Sequence, residues 1–229
     1  MNNNQTITNY CNFLTFIIYF MIALIPIQMV LFALFPHPST IVGWFSLFRD
    51  SPVVGFIGFD IFYIFSNILM IFFYISLLIV LKDKITNQLI FALILSFISI
   101  TIYFSSNRAM EMFNIANKYF EATTETQKIS FIAAGELLLS VYQGTAYFIY
   151  YVLNGLSLIL LFNSFKHIDI FSKRTIVAGL ISGFLMLIPA TVGIIGMIVS
   201  LTSLIPWIIT CIFLANDIIK FRNLTTAST

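Results

Sequence analysis

Residues 175 to 219 form an almost unbroken apolar run. An α-helix rises about 1.5 Å per residue, and a hydrocarbon core about 30 Å thick takes about 20 residues to cross. The run is therefore too long for one crossing and too apolar for water. It has to turn back within it, and Pro189, Gly193 and Gly196 mark the turn. Backbone groups at such a turn must find protein partners, because lipid offers none. The sequence thus predicts one helix from Thr175 to about Pro189 and another from about Met197 to Phe221.

Four more segments are long and apolar enough to cross: Leu14 to Phe35, Val53 to Leu81, Gln88 to Ser105 and Phe131 to Phe162. The expected fold is all-α, a polytopic bundle of six transmembrane helices. One domain over 14–221 lies between short tails, 1–13 and 222–229. Pro26 and Pro206 fall inside spans and predict kinks there. Composition agrees: 60% of the 229 residues are hydrophobic and 9% charged, against about 45–50% and 25% in soluble domains. The first 13 residues hold no Lys or Arg, and the apolar run after them reads as a retained span, not a cleaved signal.

Six crossings put both termini on one side. That side carries Lys82, Lys84, Lys166, Lys173, Arg174, Lys220 and Arg222; the other carries Arg49, Arg108, Lys118 and Lys128. The bias predicts cytoplasmic termini in a cell membrane. A net charge of +2 gives no reason to expect nucleic acid as a partner.

Two outer loops are more than connectors. In 36–52, Trp44 and Phe45 sit beside Arg49 and Asp50, which reads as a short interfacial piece with aromatics at headgroup level. In 107–127, Ala109, Met112, Phe113, Ala116, Tyr119 and Phe120 share one helical face. This predicts an extracytoplasmic amphipathic helix between spans three and four, lying on the bilayer or extending span three. Thr124 with Gln127 is a capping-box pattern that starts the next helix.

Within the fourth span, Glu136, Gln143, Tyr147 and Asn154 fall at about 0°, 340°, 20° and 0° on a helical wheel. Ser140 and Tyr150 lie within about 40° of them. Asp60, Tyr63, Asn67 and Tyr74 form a second stripe on span two. Lipid would leave such groups unpaired, so the stripes should face each other or a shared cavity. For the amides the packing reading is interhelical hydrogen bonding, worth about 0.6 kcal/mol per bond. Asp60 and Glu136 are expected near the outer interface, with Arg108 as partner. The candidate ligand-binding set is Asp60, Asn67, Arg108, Glu136, Gln143, Tyr147 and Asn154. Gly179-Leu-Ile-Ser-Gly183 is a GxxxG whose first reading is close packing inside the protein.

Most catalytic patterns are missing. His37 and His167 lie in loops, and no span contains a His. Cys11 and Cys211 lack metal-ligand spacing, so no metal site or cofactor is expected, and HExxH, P-loop and GxGxxG patterns are absent. Three functions stay open. One is a non-enzymatic protein holding a small or lipidic ligand, or a membrane partner, in an outward-opening cavity between spans two, three and four. Another is a transporter of small solutes or protons, for which six spans are few and a homo-oligomer is implied. The last is a membrane enzyme acting on lipid or peptide through carboxylates, Tyr and Arg.

The stretch NRAMEMFNIANKYFEATTETQKISFIAAGELLLSVYQGTAYFIYYVLNGLSLILLFNSF, followed by KRTIVAGLISGFLML, resembles the domain-of-unknown-function family numbered 4386. The resemblance rests on an Ala-rich helical segment with a threonine break, an Ala-Ala-Gly-acid start to span four, and a basic loop before a Gly-rich span five. It implies a six-helix integral membrane protein of bacteria or archaea, here one of a bacterial inner membrane. It implies no established activity. It also implies that Ala133, Ala134, Gly135, Glu136 and Gly144 belong to a recurring feature.

Overall fold

The computed structural model describes residues 3–190 and 192–227, which form ten α-helices and two short 3-10 turns. The helices are α1 (Asn3–Leu34), α2 (Ile41–Asp50), α3 (Pro52–Gly58), α4 (Ile61–Val80), α5 (Asn87–Ser106), α6 (Ala109–Glu121), α7 (Glu125–Tyr142), α8 (Thr145–Ser164), α9 (Lys173–Met186) and α10 (Gly193–Ala227). Residues 3–13, read as tail, are the first turns of α1, with Cys11 fully buried.

Five stretches are long and apolar enough to cross a membrane: Gln5–Leu31, Ile61–Val80, Asn87–Glu121, Glu125–His167 and Gly193–Ala227. This makes the chain an all-α membrane protein. α9 has 14 residues, a rise of about 21 Å, short of a full hydrocarbon core. The turn after α9 falls where the sequence places it. Gly193 takes φ +58°, a left-handed conformation that suits glycine. A side chain at Gly196 would begin 2.3 Å from the Pro189 carbonyl oxygen.

Six helices form a ring in the order α5, α8, α9, α10, α1, α4. The seam that would close the ring, α4 against α5, is the loosest. The tight seams are lined by small residues. Ser157 Oγ of α8 hydrogen-bonds Ser96 Oγ of α5 and donates to the Ala92 carbonyl at 2.8 Å. Gly179 and Gly183 of α9 lie against Phe162, Ile159 and Gly155 of α8, so the GxxxG is an internal packing seam. Arg222 Nη1 donates to Asn12 Oδ1 at 2.7 Å, which puts both chain ends at one end of the ring.

The two loops 36–52 and 107–127 fold into helices that pack on protein. α2, α3, α6 and α7 pack on one another as a helical cap with its own core of Ile41, Trp44, Phe45, Phe48, Phe59 and Met112, among others. Trp44 and Phe45, expected at headgroup level, are 4% and 0% exposed inside this cap. The apolar face of α6 meets α2 and α7 instead of lipid. An amphipathic face is satisfied by either, and here protein supplies the partner.

The fourth span is also not one helix. It breaks at Gln143–Gly144, leaving α8 in the ring and α7 in the cap. α7 starts with the expected capping box: Gln127 N–H donates to Thr124 Oγ1, and Thr124 N–H to Gln127 Oε1, both at 3.3 Å. Thr123 N–H also donates to Gln127 Oε1, at 3.1 Å. Thr124→Ala should cost about 1 kcal/mol. Hydrogen exchange should speed up in the first turn of α7 and leave α8 unchanged.

Candidate functional site

The site grows from one backbone corner. α3 ends at Gly58 and α4 begins at Ile61, and Asp60 between them adopts φ 60°, ψ 33°. It is the one non-glycine residue with positive φ among those described. Asp is among the few side chains that tolerate this region. Its carboxylate does not cap α4. Instead it accepts a hydrogen bond from the Tyr142 hydroxyl at the end of α7. Asn107, at the α5–α6 corner, donates from Nδ2 to the Phe59 carbonyl at 2.7 Å and accepts from Ala109 N–H at 3.1 Å. Asp60 is thus pinned from the cap through its side chain and from α5 through its neighbour.

Below this corner lie five more tyrosines. Tyr63 is on α4, Tyr103 on α5, and Tyr147, Tyr150 and Tyr151 on α8. Ring centroids are 4.9 Å apart for Tyr103–Tyr150, 5.0 Å for Tyr63–Tyr103, 5.1 Å for Tyr147–Tyr151 and 6.0 Å for Tyr142–Tyr147. The Tyr150 hydroxyl stands 3.0 Å from Tyr63 Oη and 3.3 Å from Asn67 Oδ1, and its single proton serves one at a time. Asn67 Nδ2 donates to the Tyr63 carbonyl at 2.9 Å. Tyr151 Oη is 3.3 Å from both Tyr147 Oη and Ser200 Oγ of α10. The Tyr103 hydroxyl is fully buried and has no hydrogen-bond partner among the described residues.

The two stripes thus meet only in part. Asp60, Asn67 and Tyr147 come together in the tyrosine cluster. Asn154 is buried deeper on α8 and donates to Met186 Sδ of α9 at 3.2 Å. Arg108 pairs with Glu111 at 3.1 Å on the cap and not with Asp60 or Glu136. Glu136 is exposed on α7, with no hydrogen bond or ion pair among the described residues. Gln143 is exposed at the α7–α8 break. The break is the physical reason for both departures: a wheel drawn through it gives α7 and α8 a common face that two separate helices do not share. Gly135 packs against Ile41 and Phe45 of α2, so the small residue beside Glu136 serves the cap core.

Sequence reading passed over Tyr103, Tyr142, Tyr151 and Ser200, and left Tyr63 and Tyr150 on the stripes without a role. The sequence carries one signal of the cluster: four tyrosines in the ten residues 142–151. Chemically, the cluster offers one carboxylate, several aromatic faces and a buried hydroxyl in need of a partner. That donor set suits an organic cation, which aromatic faces and a carboxylate both attract. Among the described residues there is no group of three or more His, Cys, Asp or Glu side chains that would hold a metal ion.

No family model, curated protein or solved structure matches this chain. The resemblance to family 4386 is therefore withdrawn, together with the bacterial or archaeal source it implied: no family model matches, and five described stretches, not six, are long and apolar enough to cross. The Ala-Ala-Gly-acid start on which it leaned belongs to a cap helix, α7.

Proposed function

We propose that this protein resides in a cell membrane with both termini in the cytoplasm and binds a small organic cation at the Asp60–tyrosine cluster. Entry is from the outer side, through the loose α4–α5 seam beneath the cap. In this reading α9 and its turn make a sixth, shortened crossing. The Arg222–Asn12 contact supports an even number of crossings. The seven-to-four distribution of basic residues supports the orientation.

The observation that carries the reading is one acid amid six tyrosines, with the Tyr103 hydroxyl buried and unpartnered beside the loosest seam of the ring. A membrane-embedded acid is a functional hypothesis by default. A cation–π contact in a desolvated site is worth about 2 kcal/mol.

Calorimetric titration of the full-length protein in detergent with tetramethylammonium or choline tests it, against the neutral isostere 3,3-dimethylbutanol. Binding of the cations should be at least about tenfold tighter than that of the isostere. Asp60→Asn should abolish that preference while the circular-dichroism melt stays close to wild type. Tyr103→Phe removes only the hydroxyl and should weaken binding by less. Equal affinity for cation and isostere, or an unchanged preference in Asp60→Asn, would sink the reading.

A second reading, a conduit for small solutes or protons, is favoured by one observation. Polar groups continue inward along α4 from Asp60 through Tyr63 and Asn67 to Tyr74, which lies against the Ser96–Ser157 pair. The line covers 14 residues, about 21 Å. Proteoliposomes loaded with a pH dye should then show cation-dependent acidification or alkalinisation, and Asn67→Leu should stop it. A silent assay across inward and outward gradients would leave only binding.

A further inference from the structure

At the opposite end of the ring from Asp60, α9 and α10 leave an open groove of about 590 Å³. Its walls are Val177 and Ile181 from α9 and Ile209 and Phe213 from α10, and Ala178 and Pro206 line the rest. Lys173 and Arg174, in the first turn of α9, join this lining. From Lys173 to Ile181 the helix rises about 12 Å, so a charged mouth opens onto an apolar channel along one helix.

We propose that this groove holds an acyl chain of an anionic phospholipid whose phosphate sits on Lys173 and Arg174. Both side chains are exposed, and neither forms an ion pair among the described residues. The acid from the facing helix, Asp217 of α10, is already engaged: it accepts from Ser172 N–H at 2.8 Å and from the Thr175 hydroxyl at 2.5 Å. Ser172 Oγ accepts from Thr175 N–H at 3.3 Å, while the amide groups of Lys173 and Arg174 precede the helical ladder. A helix N-terminus with two cations attracts a phosphate.

The two halves of the feature select the ligand between them. A soluble anion would use the charges but not the groove. A neutral lipid would use the groove but not the charges. An anionic phospholipid uses both, and basic pockets between spans at the cytoplasmic surface suit its headgroup. The inference needs the N-terminal end of α9 to lie at the membrane surface; it does not depend on the Asp60 cluster.

Native mass spectrometry of the full-length protein, titrated with phosphatidylglycerol or phosphatidylcholine of the same chains, tests the proposal. Wild type should prefer phosphatidylglycerol. The double variant K173Q/R174Q should lose that preference by roughly thirtyfold, the combined effect of two basic side chains near an anionic lipid. Ile209→Trp, which fills the groove, should weaken both lipids while leaving the charges in place; it carries the test if the double variant fails to fold. Millimolar inorganic phosphate should not displace the lipid. Equal binding of the two lipids by wild type, no effect of Ile209→Trp, or displacement by phosphate would each overturn the proposal.

Discussion

Gly179→Leu should destabilise the protein by about 3 kcal/mol or more, the upper end for forcing bulk into a packed interior. Even a Cβ at Gly179 would begin 2.2 Å from the Phe162 ring, well inside contact distance. Neighbouring Gly183 allows no relief, since a Cβ there would stand 3.0 Å from the Ile159 backbone nitrogen. The helices would have to separate, and the seam from α8 through α9 to α10 would open. Thermal unfolding in detergent measures the effect. If the variant does not accumulate, Gly179→Ala alone and combined with Phe162→Ala separate crowding from other causes. The second change should restore part of the stability that the first removes. A Gly179→Leu protein with an unchanged melting temperature would mean that α9 does not pack on α8.

The second large effect is expected at Asp217. Its carboxylate ties α10 to the start of α9 through the Ser172 amide and the Thr175 hydroxyl. Thr175 is fully buried, whereas Asp217 is partly exposed. Hydrogen bonds to a charged group contribute about 1.5–3 kcal/mol each, and partial exposure reduces the pair to a total of about 2 kcal/mol. Asp217→Leu should lose that stability, and Asp217→Asn, which keeps an acceptor, should lose less than half of it. Amide exchange should rise at residues 172–175 in both variants. If α9 exchanges no faster in Asp217→Leu, the anchor lies elsewhere.

The sequence made some levels of this structure legible and hid others. Apolar length announced the membrane and located α5, α9 and α10 closely, because lipid leaves few alternatives to a helix. The turn at Pro189–Gly193 was equally plain, since no single helix could absorb the run around it. The cap was hidden by an ambiguity in amphipathic faces: Met112 and Ala116 look the same whether they meet acyl chains or Phe45 and Phe48. Asp60 was visible as an acid out of place, but its partner was not. Arg108 had the right charge, yet Glu111 lay one helical turn away and took it. Tyr142 reached Asp60 only because α7 stops at Gln143, a break that no proline announces. Asp217 was missed because it sits in the last apolar run, where its partners come from the N-cap and first turn of α9, 42–45 residues upstream.

The α4–α5 contact has a consequence for how anything reaches the tyrosines. The remaining seams of the ring are joined by glycines, serines and interlocking side chains, and they can stay shut while this one parts. A cation held among the headgroups beside this seam would slip sideways between two helices, as through a curtain. In that case the cap acts as an awning over the doorway and need not move for a visitor to enter.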